Sequence, residues 1–262
     1  MILFREQTTS ASLSSRPKFI KYNTKHDQFI DSFKLNYDNI ELKRVESIKF
    51  LGVVIEKSLG WSQQVSFVKK KLAQVNGVLY KLRKTAPKRM LVSIFNALVQ
   101  SYISYGISVW GHGGETSKLK DLFVAQKRAI RNIFGVRRIN KVQAGHTKSA
   151  FTDNNILTVH NLYYKSILVE AYQIKNFTNY PKPLSKHFMF STVNPSRFCT
   201  QHFNYSTLSQ HFLFSIPRIW NAISSRKEFR DINFKSLSSF KNFIKKFIVN
   251  FQKGGDPENW DR

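Results

Sequence analysis

From Ser62 onward the apolar residues Val65, Val68, Leu72, Val75, Leu79 and Leu82 fall at alternating steps of three and four. That spacing puts all six on one stripe of an α-helix, and such a stripe must be covered by another element. Lys69, Lys70, Lys71, Lys81 and Lys84 lie mainly off it. Ser62 suits the N-cap, and Ala86-Pro87 ends the helix because proline disfavours a helical residue before it. The pattern returns in a second segment, where Leu91, Ile94, Phe95, Leu98, Tyr102 and Tyr105 face one way until the glycine-rich "WGHGG". A third helix is expected from about Ser117 to Phe134, with Leu119, Leu122, Phe123, Ala129, Ile130 and Ile133 inside. Its other face carries Lys120, Lys127 and Arg131, with Arg128 alongside. Three such helices on short loops should form a small bundle with a basic exterior.

Further helices are expected near Leu162–Lys175 and over Leu237–Phe251. In the last, Phe240, Phe243, Ile244, Phe247 and Ile248 lie inside and Lys241, Lys245 and Lys246 outside. The stretch from Asn179 to Ser215 reads as irregular and the tail "KGGDPENWDR" as frayed. No internal repeat is present.

The first third reads differently. "MILF" suits an edge strand, followed by a polar loop from Arg5 to about Asp31. Phe33–Tyr37 alternates apolar and polar, Asp38-Asn39 supplies turn chemistry, and Ile40-Glu41-Leu42 resumes, which predicts a hairpin. From Val45 to Ile55 the residues favour one buried strand with Gly52 in its middle. A glycine there marks a bulge, or a place where something approaches the backbone closely. Beyond it the chain is expected to turn sharply through Gly60. The fold class is therefore α+β, predominantly α.

Charge bounds the partners. The chain carries 42 Lys and Arg against 16 Asp and Glu, a net of +26. Residues 61–150 hold 17 basic and 2 acidic residues, a net of +15, against +3 before and +8 after. The two acids of that middle third are Glu115 and Asp121. A globular core gives no reason to concentrate such self-repulsion, so a polyanion is the expected partner, nucleic acid ahead of an anionic membrane surface. Lysine and arginine neutralise phosphates and release counterions. Tyr102, Tyr105, Trp110 and Trp61 offer stacking faces, although Tyr102 and Tyr105 lie on the apolar stripe and favour core packing. No apolar run is long enough to span a bilayer, and the start does not resemble a signal peptide. With Cys199 as the single cysteine, a reducing intracellular setting, nuclear or cytoplasmic, is expected.

Little in the chain is built for catalysis. Two-metal phosphoryl transfer needs clustered carboxylates, and the sequence has no Asp-Asp pair; Asp27 and Asp31 sit in a polar stretch. Cys199 with His202 is half a zinc pattern. No Gly-Lys-Ser/Thr loop, Gly-x-Gly-x-x-Gly run or Gly-x-Ser-x-Gly elbow occurs.

"FLGVVIEKSLGWSQQV", "KKLAQVNGVLYKLRK" and "LVSIFNALVQSYISYGISVWG", in that order, resemble the end of the reverse transcriptase of non-LTR (LINE-type, jockey-like) retrotransposons. "LFVAQKRAIRNIFG" resembles the basic helix that follows the thumb in those elements. "NNILTVHNLYYKSILVEAYQI" and "FSIPRIWNAISS" with "SLSSFKNFIKKFI" resemble their C-terminal segment. The resemblance implies a palm-edge remnant over 1–58, a helical thumb and basic post-thumb helix over 59–150, and a C-terminal helical module over 151–262. It makes Phe50, Leu51 and Gly52 primer-grip-like, with Gly52 letting a primer strand pass close. Lys69, Lys70, Lys81, Lys120, Lys127, Arg128 and Arg131 become the candidates for holding RNA or an RNA–DNA primer–template. The family's catalytic aspartates lie upstream of "MILF", so binding without catalysis is expected. No cofactor is expected in this chain, whereas the full-length enzyme would use Mg. Two other readings remain at this stage: a polymerase subunit completed in trans by a chain carrying the aspartates, and a transposon relic or interaction protein.

Overall fold

The single strand expected from Val45 to Ile55 is broken: Val45 ends one strand, and the residues after it form two more. The computed structural model describes residues 3–5, 35–37, 40–111, 116–136, 147–176, 188–191, 197–199, 212–226, 229, 234 and 236–254. The expected loop beyond Arg5, the turn at Asp38-Asn39, Asp27, Asp31, Glu115, His202 and the C-terminal tail from Gly255 lie outside these residues, whereas Lys253 and Gly254, expected to fray, are helical. By its contacts the chain divides into two units, Met1–Phe67 and Val68–Arg262.

In the first unit β1 (Leu3–Arg5), β3 (Ile40–Val45) and β2 (Leu35–Tyr37) form a three-stranded antiparallel sheet in that order. β1 is thus an edge strand, and Tyr37 opposite Ile40 gives the expected hairpin pairing. β4 (Ser47–Phe50) and β5 (Val53–Glu56) make a second antiparallel pair, with Phe50 opposite Val53. The two residues between them, Leu51 (φ 45°) and Gly52 (φ 83°), both lie in the left-handed region. That is the requirement of a tight two-residue hairpin turn whose twist matches its strands. Gly52 is therefore a turn residue, not a bulge within a strand.

The reversal after β5 also departs from expectation. Leu59 (φ 55°) and Trp61 (φ 60°) take the left-handed conformation, and Gly60 between them does not. Helix α1 (Ser62–Leu82) then starts, with the Trp61 carbonyl accepting from Val65 N at 2.9 Å. Its cap comes from β5: Glu56 Oε1 accepts from Gln63 N at 2.6 Å, a carboxylate at the positive end of the helix. Gln64 Oε1 returns the tie by accepting from Val54 N at 2.8 Å.

The second unit is helical. The α1 stripe is as read: Val65, Val68, Leu72, Val75 and Leu79 are buried and Leu82 is half-buried. α2 (Lys88–Ile94) continues through a π-helical segment, Phe95–Gln100, into α3 (Ser101–Ser104). The π segment changes the buried face. Its turns are wider than 3.6 residues, so Leu91, Phe95, Val99, Ile103 and Ile107 are buried at steps of four. Leu98 and Tyr105, expected inside, are exposed instead. The rod ends at Tyr105, which is extended, and Gly106 at φ 63° starts α4 (Ile107–Trp110). Gly111 closes α4 because a Cβ there would stand 2.5 Å from the Ile107 carbonyl oxygen.

α5 (Thr116–Phe134), α6 (Thr147–Asp153), α7 (Val159–Asn176), α8 (Phe212–Ser224) and α9 (Leu237–Gly254) complete the unit. α7 is its axis, touched by α3, α4, α5, α8 and α9. Eleven of its residues are buried, including Tyr163, Tyr164, Ile167, Leu168 and Tyr172. Buried amides tie its approach. Gln126 on α5 donates to the Leu157 carbonyl at 2.9 Å and accepts from Val159 N at 3.1 Å. Gln252 on α9 donates to the Ile156 carbonyl at 3.2 Å and accepts from Asn161 Nδ2 at 2.6 Å.

α6 and α8 were not foreseen. α8 takes in Phe212–Ser215, the end of the stretch expected to be irregular, and carries Pro217 within it. Asn221 on α8 holds both backbone groups of Phe198, accepting from its N at 2.9 Å and donating to its O at 2.8 Å. This clamp seats Phe198 against Trp220, with ring centroids 6.1 Å apart. Among the described residues no helix is long and apolar enough to cross a membrane.

Candidate nucleic-acid interface

Helix α5 sets the geometry of the basic face. Lys120, Lys127 and Arg131 are seven and four residues apart, so they lie within about 40° of one another and span about 16 Å along the helix. Leu122, Gln126, Ala129, Ile130 and Ile133 occupy the buried side. Lys120 and Arg128 are exposed, whereas Lys127 and Arg131 are half-buried. Lys127 is positioned by an aromatic ring: its Nζ lies 3.9 Å from the centroid of Phe123. Phe123 is backed in turn by Phe151 of α6 and His160 of α7, at 5.9 and 5.8 Å. The negative face of the ring attracts the ammonium group and holds it in place, while the lysine stem covers apolar surface.

α1 lies beside α5 and runs parallel to it. Lys69 Nζ meets Asp121 Oδ2 at 2.7 Å. Further along both helices, Asn76 Nδ2 donates to the Ala125 carbonyl at 3.1 Å and Asn132 Nδ2 to the Asn76 carbonyl at 3.3 Å. Lys69 is thus committed to an acid on the neighbouring helix. Lys70 and Lys81 point elsewhere: eleven residues apart, they share one face within about 20°, roughly 100° round from Lys69. Both are exposed.

Compared with protein-family models, curated proteins and solved structures, the chain matches none.

The stacking faces differ from those expected. Trp110 is 1% exposed and donates its Nε1–H to the Tyr105 carbonyl at 2.8 Å, so it belongs to the core. Tyr105 is 56% exposed, against the expectation of core packing, and Tyr102 and Trp61 are half-buried. Tyr80 was missed. It is 56% exposed with the Arg83 guanidinium stacked 3.9 Å from its centroid. It stands one turn beyond Asn76, toward the Asn132 end of α5. The signal was present in the sequence: an aromatic off the apolar stripe, with arginine three residues later.

In the first unit Phe50, Leu51 and Gly52 form the tip of the β4–β5 hairpin. Phe50 is 42% and Leu51 75% exposed, so the tip presents apolar surface. Among the described residues no group of three or more His, Cys, Asp or Glu side chains is placed to hold a metal ion.

Proposed function

We propose that this protein binds RNA or an RNA–DNA primer–template duplex through the basic face of α5, aided by the outer face of α1. The observation that carries the reading is the alignment of Lys120, Lys127 and Arg131 on one side of α5, with Arg128 beside them. Asp121, the one acid on that helix, is turned to Lys69, and the exposed Val124 stands among the cations of the stripe. Cations on a rigid helix, spaced by whole turns, suit the phosphates of a backbone and carry no sequence preference. Tyr80 with Arg83 supplies an exposed stacking surface near the end of the same helix.

The resemblance to non-LTR reverse transcriptases extends this reading. The β4–β5 tip at Phe50, Leu51 and Gly52 then plays the primer-grip role, and α1 to α5 act as the thumb that holds the duplex. On this reading the chain binds and positions nucleic acid, and the bond-making aspartates come from outside it.

A salt titration of binding to an RNA–DNA primer–template tests the proposal. A variant with Lys127→Ala, Arg128→Ala and Arg131→Ala should bind more weakly, with the log–log salt slope reduced by roughly two to three. An unchanged slope would remove α5 from the interface and the proposal with it.

A further inference from the structure

A second set of cations lies away from the α5 stripe, at the seam of α7 and α9. Two contacts fix that seam. Asn161 of α7 donates to Gln252 of α9 at 2.6 Å, and the ring of Tyr172 stacks on Phe240 at 4.0 Å with 10° between planes. The partners run in opposite directions, so the helices are antiparallel. Asn161, Lys165, Leu168 and Tyr172 follow at steps of four, three and four, which makes Lys165 part of the stripe that faces α9. It is half-buried there, on the most buried helix of the unit, at a position where an apolar residue would pack without cost.

The α9 side of the seam is also cationic. Lys241 and Lys245 are one turn apart, and Lys245 is two turns from Gln252, so all three share the flank of α9 that borders α7. Both lysines are exposed. Their charges reach Lys165, which burial first, and then Lys245 and Lys241, hold below the usual lysine range. Helix α9 contains no acid, and the one acid of α7, Glu170, lies about 140° round that helix from Lys165. The fold therefore places three lysines along one seam where packing alone would ask for none.

We propose that Lys165, Lys241 and Lys245 form a binding site for a phosphate group. Three lysine side chains along one seam, each long enough to turn its ammonium group toward a shared ligand, can each donate to a different oxygen of a tetrahedral anion. A doubly charged phosphate relieves their repulsion better than a single chloride does. The ligand that matches all three donors is free phosphate, as the inorganic ion or a monoester; a nucleic-acid phosphodiester, with one charge and two unesterified oxygens, would engage the same site through two of them. The site stands independently of the α5 face.

Thermal unfolding of the full chain, in inorganic phosphate and in chloride at equal ionic strength, tests it. The wild type should gain about 5 °C at saturating phosphate and far less in chloride. Lys241→Gln with Lys245→Gln replaces exposed residues and should fold normally; it should lose that gain and melt higher than the wild type in chloride. Lys165→Met should lose the gain as well. Equal phosphate protection of the wild type and the double variant would overturn the site, as would equal protection by chloride. The triple variant of Lys127, Arg128 and Arg131 should keep the phosphate gain, which separates this site from the α5 face. Broadening of the phosphorus-31 line of bound phosphate identifies the source. Loss of broadening when a decauridylate is added points to a nucleic-acid phosphodiester, and its survival to free phosphate; either upholds the site.

Discussion

Lys69 Nζ lies 2.7 Å from Asp121 Oδ2, joining α1 to α5 at the edge of the basic face. Both side chains are more than half exposed, so solvent screens the pair and it contributes at most about 1 kcal/mol. Its larger effect is on charge available for binding. Asp121→Asn should cost little in urea unfolding, while primer–template affinity rises and the salt slope grows by roughly one as Lys69 turns outward. A slope that stays put would mean that Lys69 does not reach the bound backbone.

Leu51 sits at φ 45°, where a side chain with a Cβ meets steric opposition that glycine escapes. Asparagine tolerates this region far better and is the favoured first residue of such a turn. Leu51→Asn should strengthen the β4–β5 hairpin by about 1 kcal/mol, read as slower amide exchange in both strands. If the exposed leucine contacts a primer, the same variant should bind primer–template more weakly despite its firmer hairpin. Faster exchange would show that the turn does not suffer from leucine.

Each departure from the expected fold has a local cause. A two-residue turn is legible when it contains Asn-Gly or Asp-Gly, and Leu51 concealed the one between β4 and β5 inside an apolar run. The α1 stripe was legible because its helix is regular. In the next rod the π segment shifts the buried set from Leu98 and Tyr105 to Val99 and Ile103, and a period of 3.6 cannot anticipate a local widening. α8 was hidden by Pro217, which local rules take as a break, although its helix is held by Asn221 and by packing on α7. The α5 cations were read correctly as one face, since spacing alone determines that. The Lys69–Asp121 pair and the meeting of Lys165 with α9 were not, because each joins residues far apart in the chain.

Gln126 offers a test of the core. Its amide is fully buried and makes one bond in each direction, to the Leu157 carbonyl and from Val159 N. Gln126→Ala leaves two buried backbone groups unpaired and opens a cavity, so unfolding free energy should fall by about 3 kcal/mol. Gln126→Glu should cost a similar amount at neutral pH, because a carboxylate cannot donate to the Leu157 carbonyl. Urea denaturation measures both; a loss under about 1 kcal/mol would show that the approach to α7 holds without the clamp.

The last prediction concerns pH. Burial, followed by the charges of Lys245 and Lys241 on α9, lowers the pKa of Lys165 from the ordinary 10.5, and burial alone lowers that of Lys175. In the window between the lowered folded value and 10.5 the unfolded chain binds more protons than the folded one. Stability contributed by these groups therefore rises with pH through that window, and is flat below it, where both states are protonated. Lys165→Met removes one of the two groups. The wild-type stability minus that of the variant should be constant near neutral pH and increase as the ordinary lysine value is approached. Lys241→Gln with Lys245→Gln should narrow the window by raising the folded pKa of Lys165. Urea unfolding of the three proteins from about pH 8 upward reads the effect, and taking differences cancels the titration of tyrosines common to all. A difference that falls with rising pH would mean that Lys165 is stabilised as the cation, and that its surroundings are not those of a repelled, half-buried ammonium.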